Sequence, residues 1–308
     1  MRTRIFVAGH RGLVGAAICR RLNADGLEPL TATRAELDLT HQAAVEDWFA
    51  RTAPEQVYLA AARVGGIHAN ASFPAEFIRD NLAIQTNVIH AAWRAGVGKL
   101  LFLGSSCIYP RLAPQPMPES CLLTGPLEPT NEWYAVAKIA GIKMCQAYRA
   151  QYGFDAISVM PTNLYGPGDN FDLRTSHVLP ALIRKFHEAK ASGLSRVTLW
   201  GTGTPQREFL HADDLADACV FLMTNYSDAR IVNVGAGRDI SISELAELVR
   251  QIVGYSGEIE FDATRPDGTP RKLLDTTLLT ALGWRPSIPL RRGIEETYDW
   301  YRRELAAA

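Results

Sequence analysis

Short apolar runs alternate with amphipathic stretches along the first half of the chain. RIFVAG (Arg4–Gly9) reads as a strand, and HRGLVG then opens the amphipathic helix AAICRRL. A second strand is expected near Glu28–Thr33, a third over Gln56–Ala62 (QVYLAAA) and a fourth over Lys99–Ser106 (KLLFLGSS). Phe73–Gly96, between the last two, carries apolar residues at helical spacing. Asn131–Lys143 predicts another helix, and Asp155–Pro167 (DAISVMPTNLYGP) a fifth strand with a loop. This alternation predicts an α/β fold with a doubly wound parallel sheet, whose ligands sit beyond the strand C-termini. Gly12, Ser105 and Asn163 all fall at that edge. The proline-rich loop YPRLAPQPMPES reads as a lid over it.

Beyond Gly166 the regularity changes. The pattern predicts one helix over residues 174–193, containing His177 and Lys185. A short strand and turn follow at Leu199–Gly203, then a helix at Asp213–Thr224. ISISELAELVRQIV predicts a capped helix starting near Ser241 or Ser243, and Arg291–Leu305 an amphipathic one. The expected division is a Rossmann-type part, residues 1–165 with roughly 206–232. Residues 166–205 and 233–308 make the smaller α/β substrate-binding part.

Composition narrows the function classes. The 308 residues are 47% hydrophobic and 21% charged, ordinary for a globular protein. A net charge of −1 argues against a nucleic-acid or membrane-surface partner. No apolar run has the length of a spanning helix, and no leader pattern precedes Arg4. Five cysteines without CxxC spacing read as reduced thiols, so a cytoplasmic protein is expected. No His/Cys cluster has metal-ligand spacing, and no metal is expected.

Two constellations carry chemistry. Gly9, Gly12 and Gly15 are spaced Gly-x-x-Gly-x-x-Gly between a strand and a helix, the context of a dinucleotide pyrophosphate site. Arg34 follows the second strand, where an NAD site usually has an acid, and Arg11 lies inside the turn. Both suit the 2′-phosphate of NADP(H). In NEWYAVAKIAGIK, Tyr134 and Lys138 stand one helical turn apart on one face. A lysine ammonium at that distance is expected to favour the phenolate and draw the tyrosine toward its working range.

The segments GHRGLVG, VYLAAARVGGI, LGSSCIYP, LEPTN, YAVAKIAGIK, PTNLYGPGDNF, TPQREFLHADD and RPDGTPRKLLD resemble the GDP-L-fucose synthase family. They do so along nearly the whole chain. These are extended short-chain dehydrogenase/reductases that act as both epimerase and reductase. The resemblance implies NADPH-dependent conversion of GDP-4-dehydro-6-deoxy-D-mannose to GDP-L-fucose, with inversion at carbons 3 and 5 and reduction at carbon 4. It implies a reductase triad of Ser105, Tyr134 and Lys138, and epimerisation by Cys107 and His177. The period of a strand alone does not choose between Ser105 and Ser106, and the family motif favours Ser105. The cofactor would lie along Gly9, His10, Arg11, Gly12, Leu13, Val14 and Gly15, with Arg34 at its adenosine end. It would also meet Leu103, Gly104, Ser105 and Ser106, Lys138, then Pro161, Thr162, Asn163 and Leu164, and His177. The nucleotide-sugar contacts fall on Lys185, Trp200, Arg207 and Asp267, with Arg271 and Lys272 as lesser candidates. Trp133, where the pattern usually has a smaller residue, would narrow the pocket. A homodimer through the helices around 73–96 and 131–152 is implied as well. The rivals are a sister nucleotide-sugar epimerase or epimerase-reductase with another sugar, and a non-catalytic NADP-binding protein on the same fold.

Overall fold

A computed structural model of the chain describes residues 3–265 and 267–307. The first elements are β1 (Ile5–Ala8), α1 (Leu13–Ala24), α2 (Gln42–Thr52), β2 (Gln56–Leu59) and α3 (Ile67–Ser72). Next come α4 (Pro74–Arg94), β3 (Lys99–Leu103), α5 (Glu132–Tyr152), β4 (Ala156–Pro161) and β5 (Asn163–Tyr165). They are followed by α6 (Val178–Ala191), β6 (Arg196–Trp200), β7 (Gln206–His211), α7 (Ala212–Asn225), β8 (Val232–Val234) and β9 (Asp239–Ser241). The last are α8 (Ile242–Val253), β10 (Glu258–Asp262), β11 (Arg271–Lys272), α9 (Thr277–Ala281) and α10 (Leu290–Ala307).

The main sheet is parallel, in the order β1-β2-β3-β4-β8. Its strands are buried on both faces, which is why they read as unbroken apolar runs. Successive residues enter opposite layers: Phe6, Leu100 and Phe102 pack with Ile89 and Ile142 on one side. Val7, Tyr58 and Leu101 pack with Ile18 and Leu215 on the other. Helices α4 and α5 therefore cover one face together, and α1 and α7 the other. Gly141 lets α5 come in close, since a Cβ there would sit 2.4 Å from the Phe102 ring.

The expected second strand at Glu28–Thr33 shrinks to a single bridge, Leu30 beside Phe6. Val7 N donates to Leu30 O at 3.0 Å and Leu30 N to Ile5 O at 2.7 Å. Pro29 has no N–H to extend the ladder, and the chain turns at Thr33, whose carbonyl accepts from Glu36 N and Leu37 N. The bridge still places this segment on the free side of β1. The strand order thus switches sides at β1, the position where a doubly wound sheet holds its ligand beyond the strand C-termini.

Other boundaries also move. The Gln56–Ala62 strand stops at Leu59, and the Lys99–Ser106 strand stops at Leu103, where a 3-10 turn takes Ser106–Ile108. The fifth strand divides: β4 stays in the main sheet, whereas β5 leaves it to pair with β7. The strand read at Leu199–Gly203 ends at Trp200. The helix read over 174–193 begins only at Val178, with His177 as its N-cap. Ser241, not Ser243, caps α8 through a full capping box with Glu244.

A four-stranded sheet contains β11-β7-β5 with β9 against β7, and β10 pairs with β6 separately. A third apolar cluster, including Phe186, Val249 and Ile294, joins α6, α8 and α10 over these strands. The expected lid is pinned rather than free. Met117 N donates to Leu273 O at 2.8 Å, Asp275 N to Met117 O at 2.9 Å, and Leu273 N to Gln115 Oε1 at 2.8 Å. Met117 and Cys121 are buried in the core. Among the described residues no helix is long and apolar enough to cross a membrane, and no His/Cys/Asp/Glu group is arranged to hold a metal.

Candidate active site

The glycine turn sits beyond β1. Gly9 has φ +92°, and a Cβ there would meet Ala61 N at 2.7 Å; a Cβ on Gly15 would lie 2.1 Å from Gly9 O. Both glycines are demanded by the protein's own packing. Gly12 is not: its nearest obstacle is 3.5 Å away. As N-cap of α1, Gly12 leaves the first turn bare, with no side-chain cap and no acid. His10 Nδ1 is buried without a partner. A Gly12 that the protein's own packing does not require, free helix N–H groups and an orphaned ring nitrogen fit a pyrophosphate laid across the turn.

Near Arg34 the acids are already engaged. Glu36 Oε2 accepts from Thr33 N at 2.7 Å, and Asp38 Oδ1 accepts from Thr40 N and Oγ1 at 3.0 and 2.7 Å. Arg11 is exposed, and the Arg34 side chain is 81% exposed with only a 3.4 Å contact to Asp38. Further along, Leu103, Gly104, Pro161 and Thr162 are buried where β3 and β4 end. Asn163 is anchored by Nδ2 donating to Glu208 O at 2.8 Å.

Helix α5 carries Tyr134 and Lys138 on the face turned to β3. Gly153 at φ +69° ends this helix in a left-handed cap, with Gly153 N on Arg149 O. Lys138 Nζ donates to Leu103 O at 2.7 Å and lies 4.8 Å from the Phe102 ring centre. Burial lowers its pKa to about 7. Tyr134 is 5.8 Å from that ammonium, measured to the ring centre. The expected depression of the phenol is not found. Burial, followed by the neighbouring Cys107, pushes its pKa up, and a hydrogen bond with Ser105 offsets only part. Desolvation opposes both charged forms, so the lysine next door is not enough. Of the two serines, Ser105 meets Tyr134, whereas Ser106 is buried.

Ser105 Oγ also accepts from Cys107 N at 3.2 Å, which turns Cys107 toward the same cleft. Asn131 Nδ2 and Lys272 Nζ each lie 3.4 Å from Cys107 Sγ. His177, the N-cap of α6, has an exposed side chain and is not among the residues lining this cleft; Lys272 is the cleft residue whose charge it feels. Desolvation, then the Lys272 charge, holds its pKa below the usual histidine value. Asn131 and Glu128 are contacts that reading the sequence did not pick out. Both lie in the LEPTN segment, and both line the cleft with Cys107, Thr269 and Lys272.

The four nucleotide-sugar candidates group around β6, β7 and the loop before β11. Lys185 Nζ reaches Thr198 O at 3.5 Å, and burial lowers its pKa. Burial also lowers Arg207, partly offset by Asp267. Asp267 accepts from Thr202 N at 2.7 Å and Thr202 Oγ1 at 2.9 Å, tying its loop to the turn after β6. Trp200 is exposed, with Arg265 5.1 Å over its ring. The two lesser candidates part company. Arg271 is held by Asp239 at 2.5 Å, whereas Lys272 turns to Cys107. Trp133 is 46% exposed and is not among the residues lining the cleft beside Cys107.

The pattern of the NAD dependent epimerase/dehydratase family matches residues 5–235, from β1 through β8. The chain belongs to this family. Its relatives there include GDP-L-fucose synthase 1 of Arabidopsis thaliana, 64% identical over 98% of this chain and 94% of the relative. A solved GDP-6-OMe-4-keto-L-xylo-heptose reductase from C. jejuni superposes with a TM-score of 0.94 at 38% identity, covering 98% of each chain. A GDP-L-fucose synthetase from Naegleria fowleri, solved bound to NADP, gives 0.91 at 26% identity over 100% of this chain and 97% of its own. As a member of the NAD dependent epimerase/dehydratase family the chain is a nicotinamide-dependent enzyme, and the turn at Gly9–Gly15 fits such a dinucleotide.

Proposed function

We propose that this chain is a GDP-L-fucose synthase, converting GDP-4-dehydro-6-deoxy-D-mannose to GDP-L-fucose by 3,5-epimerisation and 4-reduction with NADPH. The observation that carries the reading is 64% identity, over nearly the full length of both chains, to a relative bearing that name. A thiol at position 107 beside the Ser105–Tyr134 pair supports it, since a simple reductase needs no base next to the carbonyl. NADP(H) over NAD(H) is supported by the exposed Arg11 and Arg34 and by the prior engagement of Glu36 and Asp38.

When bound, NADPH would supply hydride to carbon 4. Tyr134 gives a proton to the carbon-4 oxygen, which Ser105 also hydrogen-bonds. Lys138, whose Nζ lies 5.8 Å from the Tyr134 ring centre, would hold the nicotinamide ribose. The protons on carbons 3 and 5 are acidic because the ketone stands between those carbons. Cys107 and His177 remove and return them on opposite faces. Each removal leaves an enolate with its charge on the carbon-4 oxygen, so the donors that serve reduction also serve epimerisation. Lys185, Arg207, Trp200 and Asp267 hold the GDP moiety. We further assign the cofactor to residues 1–165 with roughly 206–232, and the sugar nucleotide chiefly to the rest. A cytoplasmic homodimer through α4 and α5, with no nucleic-acid or membrane partner, completes the reading.

The similarity to a heptose reductase favours one rival, a related enzyme for a GDP-4-keto-heptose. Loss of NADPH absorbance with each sugar nucleotide separates them. A kcat/KM at least tenfold higher with GDP-4-dehydro-6-deoxy-D-mannose is expected, and the reverse order would replace the reading.

A further inference from the structure

Lys272 reads from the sequence as a possible diphosphate contact, but its geometry gives it another task. It lies on β11, in register with Arg207 of β7. Its Nζ is 3.4 Å from Cys107 Sγ, across a separation of 165 residues. Among the described residues it forms no ion pair with a carboxylate. The backbone on either side is fixed: Arg271 is clamped to Asp239, and Leu273 and Asp275 are stitched to the loop at Gln115 and Met117.

The other groups around the sulfur do not supply a positive charge. Tyr134 is held as the neutral phenol, and His177 is held toward its neutral form by desolvation and by Lys272 itself. Glu128 lies 3.3 Å from Arg111 and 3.4 Å from Thr269 Oγ1, so the carboxylate and guanidinium there offset each other. Asn131 offers Nδ2 to the sulfur at 3.4 Å, while its Oδ1 is buried without a partner. Lys272 is therefore the one uncompensated cation facing Cys107 among the described residues.

We infer that Lys272 is the positioning residue that holds Cys107 as a thiolate, with Asn131 donating a second hydrogen bond to the same sulfur. A sulfur with a charged donor and an amide donor at 3.4 Å is better matched as an anion than as a thiol. The thiolate takes the C–H proton and becomes the thiol, while the C–H electron pair moves toward the carbon-4 oxygen. This rests on the epimerase role proposed for Cys107. It adds that the thiolate is prepared by a strand from the far end of the chain before substrate arrives.

The test follows alkylation of Cys107 by iodoacetamide in the cofactor-bound enzyme, with Cys107→Ser supplying the background from the other cysteines. No sugar nucleotide is present, so failure here strikes the lysine and not the reaction assignment. At pH 7 the wild type should react at least tenfold faster than Lys272→Gln, with the variant's rate profile displaced to higher pH. Lys272→Arg should stay within about threefold of wild type, because the charge is kept. Equal rates for wild type and Lys272→Gln, or a loss in Lys272→Arg as large as in Lys272→Gln, would overturn the inference. Should Lys272→Gln fail to fold, wild type alone decides. Its rate should be near its plateau by pH 8, and a further tenfold rise between pH 8 and pH 9.5 would contradict the thiolate.

Discussion

A phenol and an ammonium four residues apart share one face of α5, and the protein around them opposes both charges. Lys138 shows this most clearly, with its pKa brought down to about 7 by burial. An unfolded lysine titrates near 10.4, so between pH 7 and pH 10 the unfolded chain binds the extra proton. Stability should therefore rise with pH through that window. In thermal scans of cofactor-free protein, wild type should gain on the order of 2 kcal/mol over Lys138→Met between pH 7 and pH 9. A constant difference would mean that Lys138 keeps its proton in the fold and that burial does not lower its pKa. The Tyr134–Lys138 spacing was readable as chemistry, but the sign of the tyrosine shift was not. Spacing says which charges are neighbours, and only the fold says how much water both have lost.

At the scale of elements, the glycine turn separates two demands that one motif conceals. A Cβ on Gly15 would lie 2.1 Å from the Gly9 carbonyl oxygen, whereas one on Gly12 would meet that oxygen only at 3.5 Å, an ordinary contact. Gly15→Ala should cost about 3 kcal/mol of stability by overpacking. Gly12→Ala should keep stability within about 1 kcal/mol. It should still weaken NADPH binding at least tenfold, as read by cofactor fluorescence alongside the melting curve. Normal binding by folded Gly12→Ala would remove the pyrophosphate from that position. Strand and helix order was legible because apolar period survives in the sequence. The shortened strand at Leu30 was not, because Pro29 and the Thr33 turn cut the ladder without changing the apolar pattern. His177 shifted from helix interior to N-cap for the same reason, since periodicity marks a helix face better than its end.

Across the whole molecule, the site joins parts of the chain that sequence proximity does not connect. Tyr134 and Ser105 come from α5 and the end of β3, whereas Lys272 comes from β11. No local motif could announce the last contact. The outer face of α4 and α5 is a second feature at this scale. Trp93 stacks on Tyr152 at 4.2 Å, and the Tyr152 side chain remains exposed. Covering that face with a second copy is the proposed dimer, and Tyr152→Arg should shift light-scattering mass from dimer toward monomer. A wild type that is monomeric at every concentration would end that proposal. On the proposed function, one cleft both inverts and reduces. The most direct test is incubation with NADPH and GDP-4-dehydro-6-deoxy-D-mannose in deuterium oxide, followed by NMR of the sugar. GDP-L-fucose carrying deuterium at carbons 3 and 5 is the predicted product. A reduced sugar with no deuterium at either carbon would contradict the account, because Cys107 and His177 would then have moved no proton.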